Sequence, residues 1–262
     1  MSWNKINEFC KVQAAPATNN GVDKIPARVE FLMDLLDSMS IKYELDEFEV
    51  KDRPSFWNKN PETNKLYNLV LRGSSSKMIV AHHDIVNPIS DNANDNSASV
   101  INAIMTKKLR PNVNVVLVDG EEAPFLGAGS THCAERIKNG DFGNIDYVLN
   151  LELTGRGGDN FFIGKVRNPS KLRDGILEIF KCPEISVPFN DSLSFIRAGI
   201  DSININPIPI TDKKTSVMYR GEYLDIEMLY NCHSMRDSLA TISVDDMKIF
   251  TEQVICRIID EV

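Results

Sequence analysis

Two segments, VNVVLVDG and DYVLNLELTG, are apolar at almost every position over the length of a strand. A strand with one wet face alternates between apolar and polar residues. A continuous apolar run needs cover on both faces, as in a parallel sheet held between helices. The rest of the chain keeps to the same constraint. Strand-like runs KYELDEFEV, LYNLVLRG, KMIVAHHD, FFIG and DSININPIP are interleaved with helix-like DKIPARVEFLMDLLDSMS, NSASVINAIMTKKL, GSTHCAERIK, NPSKLRDGILEIF and NDSLSFIRAG. Such alternation predicts an α/β fold with helices on both sides of a mostly parallel sheet.

The helices are read from their spacing. Val29, Leu32, Met33, Leu36 and Met39 repeat at helical intervals behind Pro26, which suits a first turn. Val100, Ile101, Ile104 and Met105 form a second buried stripe. Ser243 and Asp246 resemble a capping box opening a last helix that carries Met247, Phe250, Val254, Ile255 and Ile258. Trp3 to Val12 reads as a short helix. LYNLVLRG and KMIVAHHD read as a strand pair around Gly73 to Ser76. Lys51 to Lys65 reads as a polar surface loop, with Phe56 and Trp57 packed down or lining a cleft. ITDKKTSVMYRGEYLDI reads as a long loop with little pattern. No repeat, low-complexity tract or linker divides the 262 residues, so a single domain over 1–262 is expected.

Composition removes several classes of function. A net charge of -8 argues against nucleic-acid or anionic-membrane partners, which need clustered Lys and Arg. No apolar run is long enough to span a bilayer, and MSWNKINEFCKVQAAP lacks the apolar centre of a secretory signal. The five cysteines are odd in number, scattered and without a CxxC pair. Free thiols in a reducing cytoplasm are the simplest expectation.

The chemistry-bearing residues gather where strand-like runs stop, which is where open α/β sheets place their sites. His82 and Asp84 are two apart at a strand end, so they share a face that His83 does not. A metal-bound imidazole needs its second nitrogen fixed by an acceptor, and Asp84 is placed for that; a surface HHD with a local hydrogen bond is the plain alternative. Asp95 precedes a helix and by itself reads first as an N-cap, for which Asn94 would serve equally; the functional alternative is a carboxylate bridging two cations, with Asp91 a rival. Glu121 and Glu122 follow a buried strand. On extended backbone they point opposite ways, leaving one to bind a cation and the other free as a base. Two like charges there repel unless something positive is near, and a dication supplies it. Glu152 lies in an apolar run where an unpaired charge is costly, so it needs a cation or a partner such as Arg156. His233 is followed by Asp237 and preceded by Cys232. A Cys/His nucleophile has no accompanying oxyanion loop or base, and His132 reads as a packed or surface residue. Imidazole and oxygen donors without a thiolate fit zinc, or less specifically manganese or cobalt. Two such ions held about 3.5–4 Å apart would activate a water and polarise a carbonyl.

This set, in this order, resembles the co-catalytic zinc exopeptidases of the aminopeptidase S and aminopeptidase Y type. The motifs are AHHD, NDNSAS, GEEAPFLGAGS, LNLELTG and CHSMRDS, in register over about Leu66 to Leu239; FNDSLSFIRAGIDSI also fits. The resemblance implies a three-layer α/β/α sandwich around a mixed, mostly parallel sheet, and two zinc ions held by His82, Asp95, Glu122, Glu152 and His233, with Asp95 bridging. It makes Asp84 the residue that orients His82. Glu121 becomes the general base that takes a proton from the attacking water and passes it to the leaving amine. A metallo-aminopeptidase acting on small peptides or aminoacyl substrates is the implied activity. Glu152 stands where typical aminopeptidases of this type have Asp. Glu resembles instead the carboxypeptidase and deacylase branch, acting on N-acyl amino acids, or the glutaminyl cyclases. The chain is too short for the extra dimerisation domain of that branch, which points back to an aminopeptidase. A binding protein that kept the fold without catalysis is the remaining alternative, and a free Glu121 beside a ligand Glu122 speaks against it. Arg156 is a candidate for meeting a substrate carboxylate, and Tyr219 and Tyr223 are candidates for covering the site.

Overall fold

The strands that are apolar on both faces take the centre of the sheet. In the computed structural model, which describes residues 3–12, 25–51, 63–86, 90–122, 124–166, 168–187, 189–207, 216–219, 222–225 and 231–262, β3 (Lys77–His82), β4 (Asn114–Val118) and β5 (Tyr147–Leu151) lie side by side. They are flanked by β1 (Glu44–Lys51), β2 (Thr63–Leu71), β6 (Phe161–Gly164), β7 (Glu184–Ile185) and β8 (Ser202–Pro207). The eight strands run in the order β1-β2-β4-β3-β5-β8-β6-β7. The inner four are mutually parallel; β1 with β2, β2 with β4 and β6 with β8 are antiparallel. This is the mixed, mostly parallel sheet expected.

Period-two alternation divides the core into two layers. Ile79, Ala81, Val115, Leu117 and Leu149 face the larger layer, with α1 (Ile6–Phe9), α2 (Ala27–Ser38), α3 (Ala98–Leu109) and α5 (Lys171–Ile179). The C-terminal helix completes that layer. It runs as α7 (Val244–Ile249), a π-type stretch Phe250–Ile255 and α8 (Cys256–Glu261), and Ser243 caps it by accepting from the Asp246 N–H. Met78, Val80, Val116, Val118 and Val148 face the opposite layer, formed by α4 (Ala128–Lys138) and α6 (Ser192–Arg197). Among the described residues no helix is long and apolar enough to cross a membrane.

Three expectations are corrected. β2 and β3 are not a pair: β4 lies between them, antiparallel to β2 and parallel to β3. The Gly73–Ser76 segment is therefore no hairpin turn. It passes beneath the start of β4, where the Ser75 N–H donates to the Asn112 carbonyl at 2.9 Å and the Asn114 side chain holds both Gly73 N and Ser75 O. A Cβ at Gly73 would collide with the Asn112 and Val113 carbonyls, which explains the glycine. The buried Lys107 ammonium caps three carbonyls at this crossing, those of Arg72, Pro111 and Val113. Second, the stretch expected to be an open loop contains an antiparallel ribbon, β9 (Ser216–Tyr219) with β10 (Glu222–Asp225). Pro26 sits one residue before α2 rather than in its first turn. The expected Phe56–Trp57 feature lies outside the described residues.

The order of connections fixes where a site forms. The chain leaves β3 through α3 on one face and enters β4 on one side; it leaves β4 through α4 on the other face and enters β5 on the opposite side of β3. That reversal opens a crevice at the carboxyl ends of β3, β4 and β5. The centre of the sheet is also where stability concentrates. Leu117 is fully buried, and Leu117→Ala is expected to lower unfolding free energy by about 2–5 kcal/mol. Denaturant melts check this; a change below about 1 kcal/mol would contradict the packing described.

Candidate metal centre

The crevice collects its side chains from four strand or helix ends. His82 is the last residue of β3 and only 1% exposed. Its Nδ1 lies 3.4 Å from Asp84 Oδ1, and its Nε2 lies 3.3 Å from Asp95 Oδ1 and 3.5 Å from Glu152 Oε2. His83 turns the other way, as alternation requires, and its ring meets the Tyr67 carbonyl at 2.8 Å. Asp84 then ties two strand ends together, accepting from the N–H groups of Glu121 at 3.2 Å and Glu122 at 2.9 Å. Burial alone would raise the Asp84 carboxyl. The His82 ring and the Glu122 N–H outweigh it and hold the group below its ordinary range.

Glu121 and Glu122 do not diverge as extended backbone would have them. β4 stops at Val118, and Gly120 takes a positive φ of 69° that folds the chain back, with the N–H groups of Gly127 and Ala128 on its carbonyl. Both carboxylates thereby enter one cavity, each offering an atom within 4.8 Å of a His82 ring nitrogen. Glu122 Oε1 also lies 3.1 Å from His233 Nε2. Burial pushes Glu121 up to about 10, with Asp191, Glu152 and Glu122 adding to the shift and His82 opposing it.

Asp95 is no helix cap. Its Oδ1 faces His82 and its Oδ2 faces His233 Nε2 at 3.2 Å, so the carboxylate stands between two imidazoles. Burial is outweighed by those two histidines, and the group is held far below its usual range. The surrounding NDN segment is fastened on both sides. Asp237 accepts from the N–H groups of Asn94 at 2.7 Å and Asp95 at 2.9 Å. Asn96 spans to β5 through the Leu151 carbonyl and the Leu153 N–H, and Asn94 accepts from the Gly155 N–H at 2.7 Å. Gly155 has to be glycine, since a Cβ would drive into Ile242 and Asn94 Oδ1. Asp91, the rival ligand, is used elsewhere, accepting from the Leu239 N–H.

Glu152 follows β5 directly and is 7% exposed. Asn150 donates to its Oε1 at 3.2 Å, and burial raises its carboxyl above the ordinary range. Among the described residues no Arg or Lys forms an ion pair with it; Arg156 lies four residues on, half-buried. Tyr219 and Tyr223 belong to the β9–β10 ribbon, and their side chains lie outside the described residues. His132 is the packed residue expected, stacked on Phe48 and 3.2 Å from Asp46.

One residue went unassigned in the sequence. Asp191 opens α6, is fully buried, and has no hydrogen-bond partner on either oxygen among the described residues. Burial pushes it up to about 7, with the His82 charge opposing and Glu152 and Asp84 reinforcing, so it faces the same cluster. Its only signal in the sequence was an acid before a helix, which reads as an ordinary N-cap.

The donors fit a divalent cation. Nitrogen and oxygen ligands about 2.0–2.2 Å from a shared ion stand roughly 3–3.5 Å from one another, and the His82, Asp95, Glu122, Glu152 and His233 contacts span 3.1–3.5 Å. Six buried or nearly buried carboxyls meet two imidazoles with no Arg or Lys ion pair to any of them among the described residues. Such a set is heavily penalised unless positive charge joins it.

Fold and donor set together define an α/β/α chain suited to holding divalent cations at its topological switch point. The model for peptidase family M28 matches residues 68–256, and the chain belongs to that family. The Legionella pneumophila LapA aminopeptidase superposes with a TM-score of 0.66 at 13% identity, covering 98% of this chain and 69% of that one. BSAP, a zinc aminopeptidase from Bacillus subtilis, gives 0.57 at 18% identity, covering 76% of this chain and 50% of its own. The Porphyromonas gingivalis glutaminyl cyclase gives 0.68 at 14% identity, covering 99% and 97%. At these identities the likeness is one of fold. A comparison with curated proteins gives no match in sequence.

The uncompensated acids dictate how the metal-free protein responds to pH. Glu121 is raised to about 10, Asp191 to about 7 and Asp237 to about 6, and His82 and His233 are raised as well. Each binds its proton more tightly folded than unfolded. The associated stability is complete below the unfolded value, about 4 for the acids and about 6.5 for the histidines, and is lost as pH rises through the folded value. Asp84 and Asp95, which are lowered, act only in the acid range. Chelator-treated protein should therefore melt at lower temperature at pH 8 than at pH 5.5, and zinc should remove most of the difference. A melting temperature that rises over this interval would contradict the account.

Proposed function

We propose that the chain is a metal-dependent exopeptidase, specifically an aminopeptidase on small peptides or aminoacyl amides, with two zinc ions and Glu121 as general base. The observation that carries this reading is Asp95, with one oxygen toward His82 and the other toward His233. A carboxylate so placed is suited to bridge two cations, one held with His82 and Glu152 and one with Glu122 and His233. Zinc bound there would supply a Lewis acid for the scissile carbonyl and lower the pKa of a water.

The chain's own residues supply the rest. Glu121 is 8% exposed and has no ion pair among the described residues, so its carboxylate is free to take a proton. Positive charge in the crevice brings it down from its raised value toward working range. The same oxygen can return the proton to the leaving nitrogen. Asp84 fixes the His82 ring through Nδ1 and, through its bonds to two N–H groups, the backbone of Glu121 and Glu122. Asp191, buried beside this group, opposes ionisation of Glu121 and so strengthens it as a base. Arg156 is our candidate for contact with a substrate carboxylate. Free thiols at all five cysteines accord with a cytoplasmic setting.

A glutaminyl cyclase is the second reading, kept because one such chain matches almost end to end. Elemental analysis and a substrate panel separate the two. The aminopeptidase reading expects two metals per chain and turnover of aminoacyl amides. One metal, with ammonia lost from an N-terminal Gln peptide, would favour the cyclase. Acyl-amino acids test the deacylase polarity that Glu152 suggests. If metal-loaded protein turns over none of these, the catalytic proposal fails. Glu121→Gln should keep its metal and lose about a hundredfold or more in kcat. Equal loss of metal in that variant would mean the two glutamates exchange roles.

A further inference from the structure

The family resemblance leaves Cys232 without a task, yet its position beside the centre is specific. It precedes His233, whose backbone takes a positive φ of 57°. On extended backbone neighbouring side chains diverge. Here both turn toward the same atom: Cys232 Sγ lies 2.7 Å from Asp95 Oδ2, and His233 Nε2 lies 3.2 Å from that same oxygen. Sulfur, ring nitrogen and carboxylate oxygen all fall within 4.8 Å of one another. The other cysteines are placed differently. Cys10 and Cys133 are buried in the two apolar layers, Cys256 is buried on the C-terminal helix, and the Cys133 sulfur touches the Met78 sulfur at 4.0 Å.

The two sides of Asp95 are therefore unequal. Toward His82 the chain offers Asp95, His82 and Glu152, three donors of the hard and imidazole type. Toward His233 it offers Asp95, His233 and a thiol, all within 4.8 Å of one another, with Glu122 reaching the His233 ring from the other side at 3.1 Å.

Resting on the metal-peptidase reading above, we propose that Cys232 is a thiolate ligand of the cation on the His233 side. The geometry that carries this is the mutual cluster of Asp95, Cys232 and His233. On binding, the S–H bond breaks, the sulfur pair forms the bond to the cation, and the proton leaves to solvent. Sulfur and oxygen donors on one zinc ion stand about 3.5 Å apart. The sulfur stands 2.7 Å from Asp95 Oδ2, so coordination would move it outward by less than about 1 Å. A soft donor on one side also gives that position a preference for zinc, cobalt or cadmium over manganese.

Cobalt reports the difference directly. Chelator-stripped full-length protein titrated with Co2+ should show ligand-field bands and, in addition, a sulfur-to-cobalt charge-transfer band in the near ultraviolet. Cys232→Ser and Cys232→Ala should abolish the charge-transfer band, keep the ligand-field bands, and weaken one of two cation affinities by about tenfold or more. Cys182→Ser should keep both features. Ligand-field bands without charge transfer in the native protein would overturn the proposal and leave the metal centre standing, as would a charge-transfer band that survives both Cys232 variants. Failure to bind cobalt or zinc at all would overturn the metal centre itself and this ligand with it. A second measurement needs no variant: zinc should protect Cys232 from alkylation in native protein, read by mass spectrometry of its peptide. Equal alkylation with and without zinc would overturn the proposal.

Discussion

Six carboxyl groups, from Asp84, Asp95, Glu121, Glu122, Glu152 and Asp191, share a crevice with the imidazoles of His82 and His233. Removing that many acids from water without matching positive charge is strongly unfavourable. Burial raises Glu121, Glu152 and Asp191, and the imidazoles hold Asp84 and Asp95 down. The crevice is thus frustrated by itself. A divalent cation would relieve the repulsion and displace the protons together, coupling its binding to local order.

The framework holds this unfavourable arrangement in place with hydrogen bonds to the backbone and side chains of the donors themselves. Asp237 grips two consecutive N–H groups beside Asp95, Asn96 spans to β5, and Asn150 and Asn206 hold Glu152. Behind them the two apolar layers lock the register of β3, β4 and β5. A one-residue slip in any of these strands would turn its buried residues to the wrong layer. Register therefore positions chemistry here: His82 is fixed because Ile79 and Ala81 are packed in one layer and Met78 and Val80 in the other.

Chemistry in this chain follows from turns as much as from strands. Gly120 and His233 both take positive φ: the first turns the chain back toward the crevice, and the second brings two adjacent side chains to one place where extended backbone would separate them. At Gly120 the result is a pair of glutamates in one cavity. At His233 it is an imidazole and a thiol on a single carboxylate oxygen.

Much of this was legible beforehand. Apolar continuity marked β4 and β5 as central strands, helical spacing marked α2, α3 and the C-terminal helix, and Ser243 marked a helix start. The opposite facing of His82 and His83 followed from a period of two. These are local properties, set by each residue's neighbours in the chain. The place of β4 between β2 and β3, the convergence of Glu121 with Glu122, and the arrival of Asp191 and Cys232 at the centre were decided only by tertiary structure. Such features depend on the direction in which a segment leaves its turn and on which distant surface receives it. No periodicity in the sequence encodes either, so an acid before a helix and a cysteine before a histidine look ordinary until the fold brings them to the same cavity.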